Sequence, residues 1–319
     1  MQFDQTYNGG MKHHAIRAYR NKAFFYGLLP ILGLVAILGL ILLRLEGAQS
    51  PAQQLPDTSR SQQVVVELTK QDLRAGWEER QARFEATNPQ YPDAEGINYP
   101  VVNNELVGDI DPADQLVWDI VVSLAPTDEV LGSTSEFFVY FDEEDDTLAF
   151  VESTDERNTS WTFGINYLAV NSFEDLVPTI IHEYGHILSL QDSQTIVDSE
   201  ESGILSSCST YLVEEGCLDQ DSYLAEFYNQ FWTEPGFDIQ RDRTAEESLV
   251  FFEQNPGVFV SDYATTNPAE DFAETLMTYV IEDRGENDTA TDKLDFLASY
   301  QELVDYRDNA RRLIAAWGQ

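Results

Sequence analysis

The strongest constraint on this chain is a run without charge, Ala23–Leu43 (AFFYGLLPILGLVAILGLILL), 21 residues long. At ~1.5 Å rise per residue a helix of that length spans about 31 Å, close to the ~30 Å hydrocarbon core of a bilayer. Pro30 and the glycines of the run are tolerated in such a helix. A buried core helix of this length beside a polar tail is the weaker reading. A cleaved signal peptide competes, since small residues stand near Gly47 and Ala48, but its apolar part is usually ~7–15 residues. Lys12, Arg17, Arg20 and Lys22 precede the run, while only Arg44 and Arg60 follow soon after. This asymmetry predicts a single-pass protein of the cell membrane, with residues 1–22 as a cytoplasmic tail and the rest outside.

Charge divides at the same point. Residues 1–43 carry four bases and one acid, and the whole chain of 319 residues carries −39, which leaves −42 for the remainder. A surface so acidic excludes a general nucleic-acid binder, because phosphate contacts need a basic face. It also argues against the outer part lying flat on anionic lipid. Residues 44–63, rich in Gln, Ser, Pro and Ala, read as a flexible stalk. The two cysteines, Cys208 and Cys217, lie nine apart. Outside the cell they are a candidate disulfide, with two free thiols as the alternative. They are too few for a Cys-rich zinc site.

From residue 64 onward the pattern is that of one folded domain, 64–319. Thr69 opens a helical pattern with Leu73, Trp77 and Phe84 on one side, ended by Asn88-Pro89. Residues 89–111 are turn-rich, and Asp111-Pro112 opens a helix through about Leu124. Glu136–Phe141 and Leu148–Glu152 read as strands of a hairpin joined by an acidic turn, and Ser160–Val170 as a further strand. Asp142–Asp146 in that turn is a weak candidate calcium site. Helical pattern returns over about 173–190, with Pro178 expected where the regular helix begins. Further helices are expected near 221–232, 245–254, 268–283 and 292–316. Helix, strands, then helices define an α+β fold. The aromatic stripe Tyr223–Trp232 has core spacing. Asn158-Thr-Ser and Asn287-Asp-Thr match the N-glycosylation pattern.

Two of the four histidines fall in His182-Glu183-Tyr184-Gly185-His186. Chance alone gives such a motif roughly 0.005 times in this composition. Residues i and i+4 share one helical face, so both imidazoles can reach one ion. Glu183 stands beside the first ligand, where it can act as a base toward water. A catalytic zinc needs a third protein ligand and an open position. Asp192 is one candidate and resembles the metzincin pattern, in which a tight glycine turn precedes the third ligand. Here Ser189 occupies the turn position, and no Met-turn is evident. Glu270 is the other, in SDYATTNPAEDFAETLMTYV, where Asn267 and Pro268 also give it a capping role. Glu274 lies one turn further on and could accept a hydrogen bond from a liganding imidazole.

The run Tyr-Ala-Thr-Thr-Asn-Pro-Ala-Glu-Asp-Phe-Ala-Glu, together with the His-Glu motif, resembles the gluzincin metallopeptidases. The best fit is the catalytic domain of the anthrax-lethal-factor-like group, over about residues 112–190 and 258–283. The chain is also similar to uncharacterised bacterial zinc metallopeptidases, including in SYLAEFYNQFW. The resemblance implies a zincin-like domain with a small mixed sheet, an active-site helix and a helical C-terminal part. It implies Zn²⁺ held by His182, His186 and Glu270, with Glu274 behind a ligand and Glu183 and Tyr263 catalytic. It implies a zinc-dependent endopeptidase acting on peptide or protein substrates, with substrate adding as a strand along Trp161–Asn166. The 84 residues from His186 to Glu270 depart from the shorter family members. A surface binding or scaffold protein on an inactive zincin fold is the alternative, disfavoured by the intact Glu183 and Tyr263.

Overall fold

A computed structural model describes residues 96–317, apart from 126–132, 141, 143–146, 168, 171–172, 198–207, 234–236, 238–241 and 283–288. The apolar run 23–43, the stalk, the helix expected after Thr69, the acidic-turn residues 143–146 and Asn287 lie outside the described residues. Among those described, no helix is long and apolar enough to cross a membrane.

The fold is α+β, with a mixed sheet and seven α-helices among the described residues. The strands are β1 (Ile97–Val102), β2 (Glu105–Leu106), β3 (Thr134–Tyr140), β4 (Ala149–Ser153) and β5 (Trp161–Asn166), in the order β2-β1-β3-β5-β4. β5 runs parallel to β3 and antiparallel to β4. The hairpin expected between β3 and β4 is therefore absent, because β5 inserts between them. β5 is also shorter than expected: the chain turns after Asn166, whose carbonyl accepts from the Ala169 and Val170 amides. β1 and β2 fall in the stretch read as turns. Asn103 and Asn104 join them at φ of 54° and 64°, a conformation Asn tolerates.

The central position of β5 overturns the expected substrate strand. Both its edges are consumed by neighbouring strands, so nothing can add along Trp161–Asn166. Among the described residues, the free edge on that side is β4. Leu148 accepts from Asn166 and Thr154 donates to Ser160, so the alternation turns the backbone groups of Ala149, Val151 and Ser153 outward.

Alternation also fixes the core. Phe137, Val139, Phe163 and Ile165 point to one face and are buried there. Helix α1 (Pro112–Leu124) packs on that face, with the Trp118 and Phe137 rings 5.2 Å apart. Asp111 caps α1 by accepting from the Ala113 amide at 2.9 Å. Helix α2 (Phe173–Leu190) joins the same core. It keeps its helical course through Pro178 rather than starting there, so the missing N–H falls inside the helix, near its first turns.

After α2 come three short strands, β6 (Thr195–Ile196), β7 (Leu212–Val213) and β8 (Gly216–Leu218), paired β6-β8-β7. Cys208 and Cys217 form a disulfide across this unit, with Cα atoms 5.6 Å apart. Asn158, in the β4–β5 turn at φ 57°, fastens it to the main sheet. Its Nδ2 donates to Thr195 Oγ1 at 2.9 Å and to the Glu215 carbonyl at 2.7 Å. Its own carbonyl accepts from Trp161 Nε1 and the Asp192 amide. Asn158 is thus a buried latch whose amide is already engaged, not an accessible sugar acceptor in the folded chain.

Helices α3 (Tyr223–Phe231), α4 (Ala245–Gln254), α5 (Pro268–Ile281), α6 (Thr289–Ala298) and α7 (Gln301–Trp317) complete the domain. The single helix expected over 292–316 is two, broken at Ser299-Tyr300. The α3 stripe is core: Leu224, Phe227 and Phe231 are buried. Helix α5 is α2's principal partner. Gly185 makes the close approach, since a Cβ there would stand 3.0 Å from Ala273 Cα. Arg311 on α7 satisfies the C-terminal carbonyls of α5, donating to Val280, Tyr279 and Glu282.

Candidate metal centre

The periodicity of α2 turns His182, Glu183 and His186 toward one side, and α5 lies across it. Asn267 caps α5 by accepting from the Glu270 amide at 2.9 Å, and Pro268 fits the first turn. Glu270 therefore has both roles that its sequence suggested: its backbone belongs to the cap while its carboxylate reaches the histidines.

Three ligand-type atoms converge. His182 Nε2 lies 3.1 Å from Glu270 Oε2 and 3.0 Å from His186 Nε2, and His186 Nε2 lies 3.3 Å from the same oxygen. Ligands held about 2.0–2.1 Å from a tetrahedral ion stand about 3.3 Å apart. The spacing fits a small divalent cation, and two imidazoles with one carboxylate suit a transition metal better than calcium or magnesium. The partner of the other ring nitrogen agrees. His182 Nδ1 lies 2.9 Å from Glu274 Oε1, and a neutral ring donating there would present its Nε2 lone pair to a metal.

Electrostatics follow from burial. Burial works against a charged His182, but its hydrogen bonds to Glu270 and Glu274 outweigh that and raise its pKa well above the ordinary value. Burial likewise opposes ionised Glu270, yet His186 and His182 hold its carboxyl well below the usual range. Glu183 is raised, chiefly by burial. The Val151 amide on β4 faces its carboxylate and partly offsets this. A carboxyl raised in this way suits proton transfer near neutral pH.

Tyr263 opens a 3₁₀ turn (Tyr263–Thr265), its ring 5.9 Å from that of His182. Its hydroxyl is buried and makes no hydrogen bond of good geometry among the described residues, with the Glu270 carboxylate close enough to interact with it. Burial, then Glu270, Glu183 and Glu274, push its pKa well above the usual phenol value, so it stays protonated and able to donate.

Of the predicted residues, the structure thus gathers His182, Glu183, His186, Tyr263, Glu270 and Glu274 in one place. It leaves Asp192 outside, exposed in the turn after α2. Ser189 stays helical and donates to the Gly185 carbonyl at 2.8 Å, so the tight turn that would bring Asp192 round does not form. The Cys208–Cys217 bridge contributes no metal ligand. Sequence reasoning missed Ser261, which donates to Glu274 Oε2 at 2.6 Å. Its one sequence signal is a serine three residues before the amide of a short turn, a local capping spacing. Comparison with protein-family models, curated proteins and solved structures finds no match for this chain.

Proposed function

We propose that this chain is a zinc metallopeptidase of gluzincin type, with a zincin-like catalytic domain. The observation that carries the reading is the convergence of His182, His186 and Glu270 beside a buried Glu183 and the buried Tyr263 hydroxyl. His182 Nε2, His186 Nε2 and Glu270 Oε2 would hold the zinc. When bound, zinc supplies Lewis acidity, which polarises a peptide carbonyl and makes water more acidic. Glu183 takes the proton of the attacking water and returns it to the leaving amine nitrogen. The Tyr263 hydroxyl, held protonated by its buried acidic surroundings, donates to the developing oxyanion. Glu274 holds the His182 tautomer throughout. An extended substrate adds along the outer edge of β4, where the Ala149 and Ser153 backbone groups turn outward and the Val151 amide meets Glu183.

The disulfide supports an exterior location, since such bonds persist in oxidising compartments. Together with the run 23–43 it supports a membrane-anchored enzyme facing outward. The test is zinc per chain in the purified full-length protein beside its Glu270→Ala variant. About one zinc in the parent and far less in the variant is expected. Equal zinc in both would remove Glu270 from the ligand set. A folded parent that takes up no zinc would overturn the reading.

A further inference from the structure

Three hydrogen bonds run from the Tyr263 turn to the metal-site histidine. The Ala264 amide donates to Ser261 Oγ at 3.0 Å. Ser261 Oγ–H donates to Glu274 Oε2 at 2.6 Å, and the other oxygen of that carboxylate, Oε1, accepts from His182 Nδ1 at 2.9 Å. The direction of each bond is fixed by chemistry. An amide only donates and a carboxylate only accepts, so the serine proton must point to Glu274. The turn itself needs this serine. Asp262, at its N-cap position, makes no side-chain cap, and the Ala264 amide is satisfied by Ser261 instead.

We infer that Ser261 is a positioning residue that locks the Tyr263 turn and the His182 imidazole into one unit through Glu274. The inference rests on the metal-site reading and names a part of it that no ligand motif contains. Glu274 is 1% exposed and has exactly two oxygens to satisfy, one for each partner. Without the serine hydroxyl, the carboxylate is free to rotate about its last torsion, and the His182 ring loses its reference. The same loss frees the Ala264 amide and lets the turn carrying Tyr263 shift. One hydroxyl therefore sets both the ligand direction and the distance of the oxyanion donor.

The experiment measures zinc affinity by chelator competition, and kcat and KM on a mixed peptide library, for the full-length protein and four variants. Glu274→Ala is expected to weaken zinc binding by about 10–100-fold, as losses behind a metal ligand do. Ser261→Ala is expected to weaken it by roughly 3–10-fold and to lower kcat, with KM changed by less than about twofold. In the Glu274→Ala background the serine change should add less than about twofold, because its route to His182 is gone. Ser261→Thr keeps the hydroxyl and should stay within about threefold of the parent. If Ser261→Ala does not fold, Ser261→Gly removes the same hydroxyl and serves in its place. Parent-like zinc affinity in the serine variant, or fully additive effects in the double variant, would overturn the inference. Hydrolysis is not needed for that decision: a parent that binds zinc but cleaves nothing would sink the peptidase reading while the zinc measurements still judge Ser261. A parent without zinc would end both.

Discussion

Glu270 and Asp271 are adjacent on α5 and both buried, yet they belong to opposite kinds of cluster. Asp271 Oδ2 accepts from Lys293 Nζ at 2.6 Å and from Trp232 Nε1 at 2.8 Å, while Thr275 approaches its other oxygen. The ammonium of Lys293 also lies 3.8 Å from the centre of the Phe259 ring. Burial pushes the carboxyl up and the amine down, and their mutual attraction opposes both shifts. That cluster is complete: charge, donors and acceptors balance within the chain. One residue earlier, Glu270 faces two imidazole nitrogens and the buried phenol of Tyr263, and among the described residues no Lys or Arg is paired with it. The difference teaches how to separate a structural ion pair from a binding site. A finished pair carries a permanent counter-charge; a site gathers groups that can give up a proton to take a cation.

The contrast can be broken from either side. Glu183→Gln should give the largest effect, a fall in kcat of about 10²–10⁴ with zinc content retained, because only the proton shuttle is removed. Unchanged hydrolysis in that variant would exclude Glu183 as the base. Next in size, Lys293→Met leaves Asp271 buried and unpaired and should cost about 3–5 kcal/mol in urea unfolding. Lys293→Met with Asp271→Asn should recover part of that loss, since the amide still accepts from Trp232 while carrying no charge. A Lys293→Met protein as stable as the parent would deny that this pair is the structural one.

The smallest effect is in pH. The folded pKa of His182 lies above 6.5, so in zinc-free protein the protonated ring contributes stability that is full below about that pH. It is lost as pH rises through the raised folded value. Zinc requires the bare Nε2, so apparent zinc affinity should move the other way and increase over the same range. Urea unfolding of EDTA-treated protein and chelator competition, each from pH 6 to 9, should therefore trend oppositely. Parallel trends would mean that His182 is not the group both processes share.

Much of this was legible in the sequence where the signal is local. Helix α2 falls at the expected bounds because its apolar period is regular, and the i,i+4 spacing marked the two histidines; the local spacing at Glu270 spoke for a cap, and only the family resemblance suggested it as a ligand. The hairpin failed for a non-local reason. Strands β3 and β4 are neighbours in the chain, and nothing in their residues says that β5 will slide between them. Asn158 shows the same limit: a three-residue pattern suggested a sugar, whereas partners 37 and 57 residues away made it a latch. Asp271 and Lys293, 22 apart, have no spacing signature at all.

The glycine inside the His-Glu motif has a consequence for which metal can sit there. Helices α2 and α5 touch at Gly185 and Ala273, and the histidine nitrogens of α2 stand 3.1 and 3.3 Å from the Glu270 oxygen of α5. The contact works as a shim of zero thickness between two jaws. Any side chain at residue 185 would thicken it and spread the jaws, enlarging the gap toward ions of greater radius. The bore of the metal site is gauged by a methyl group that is not there.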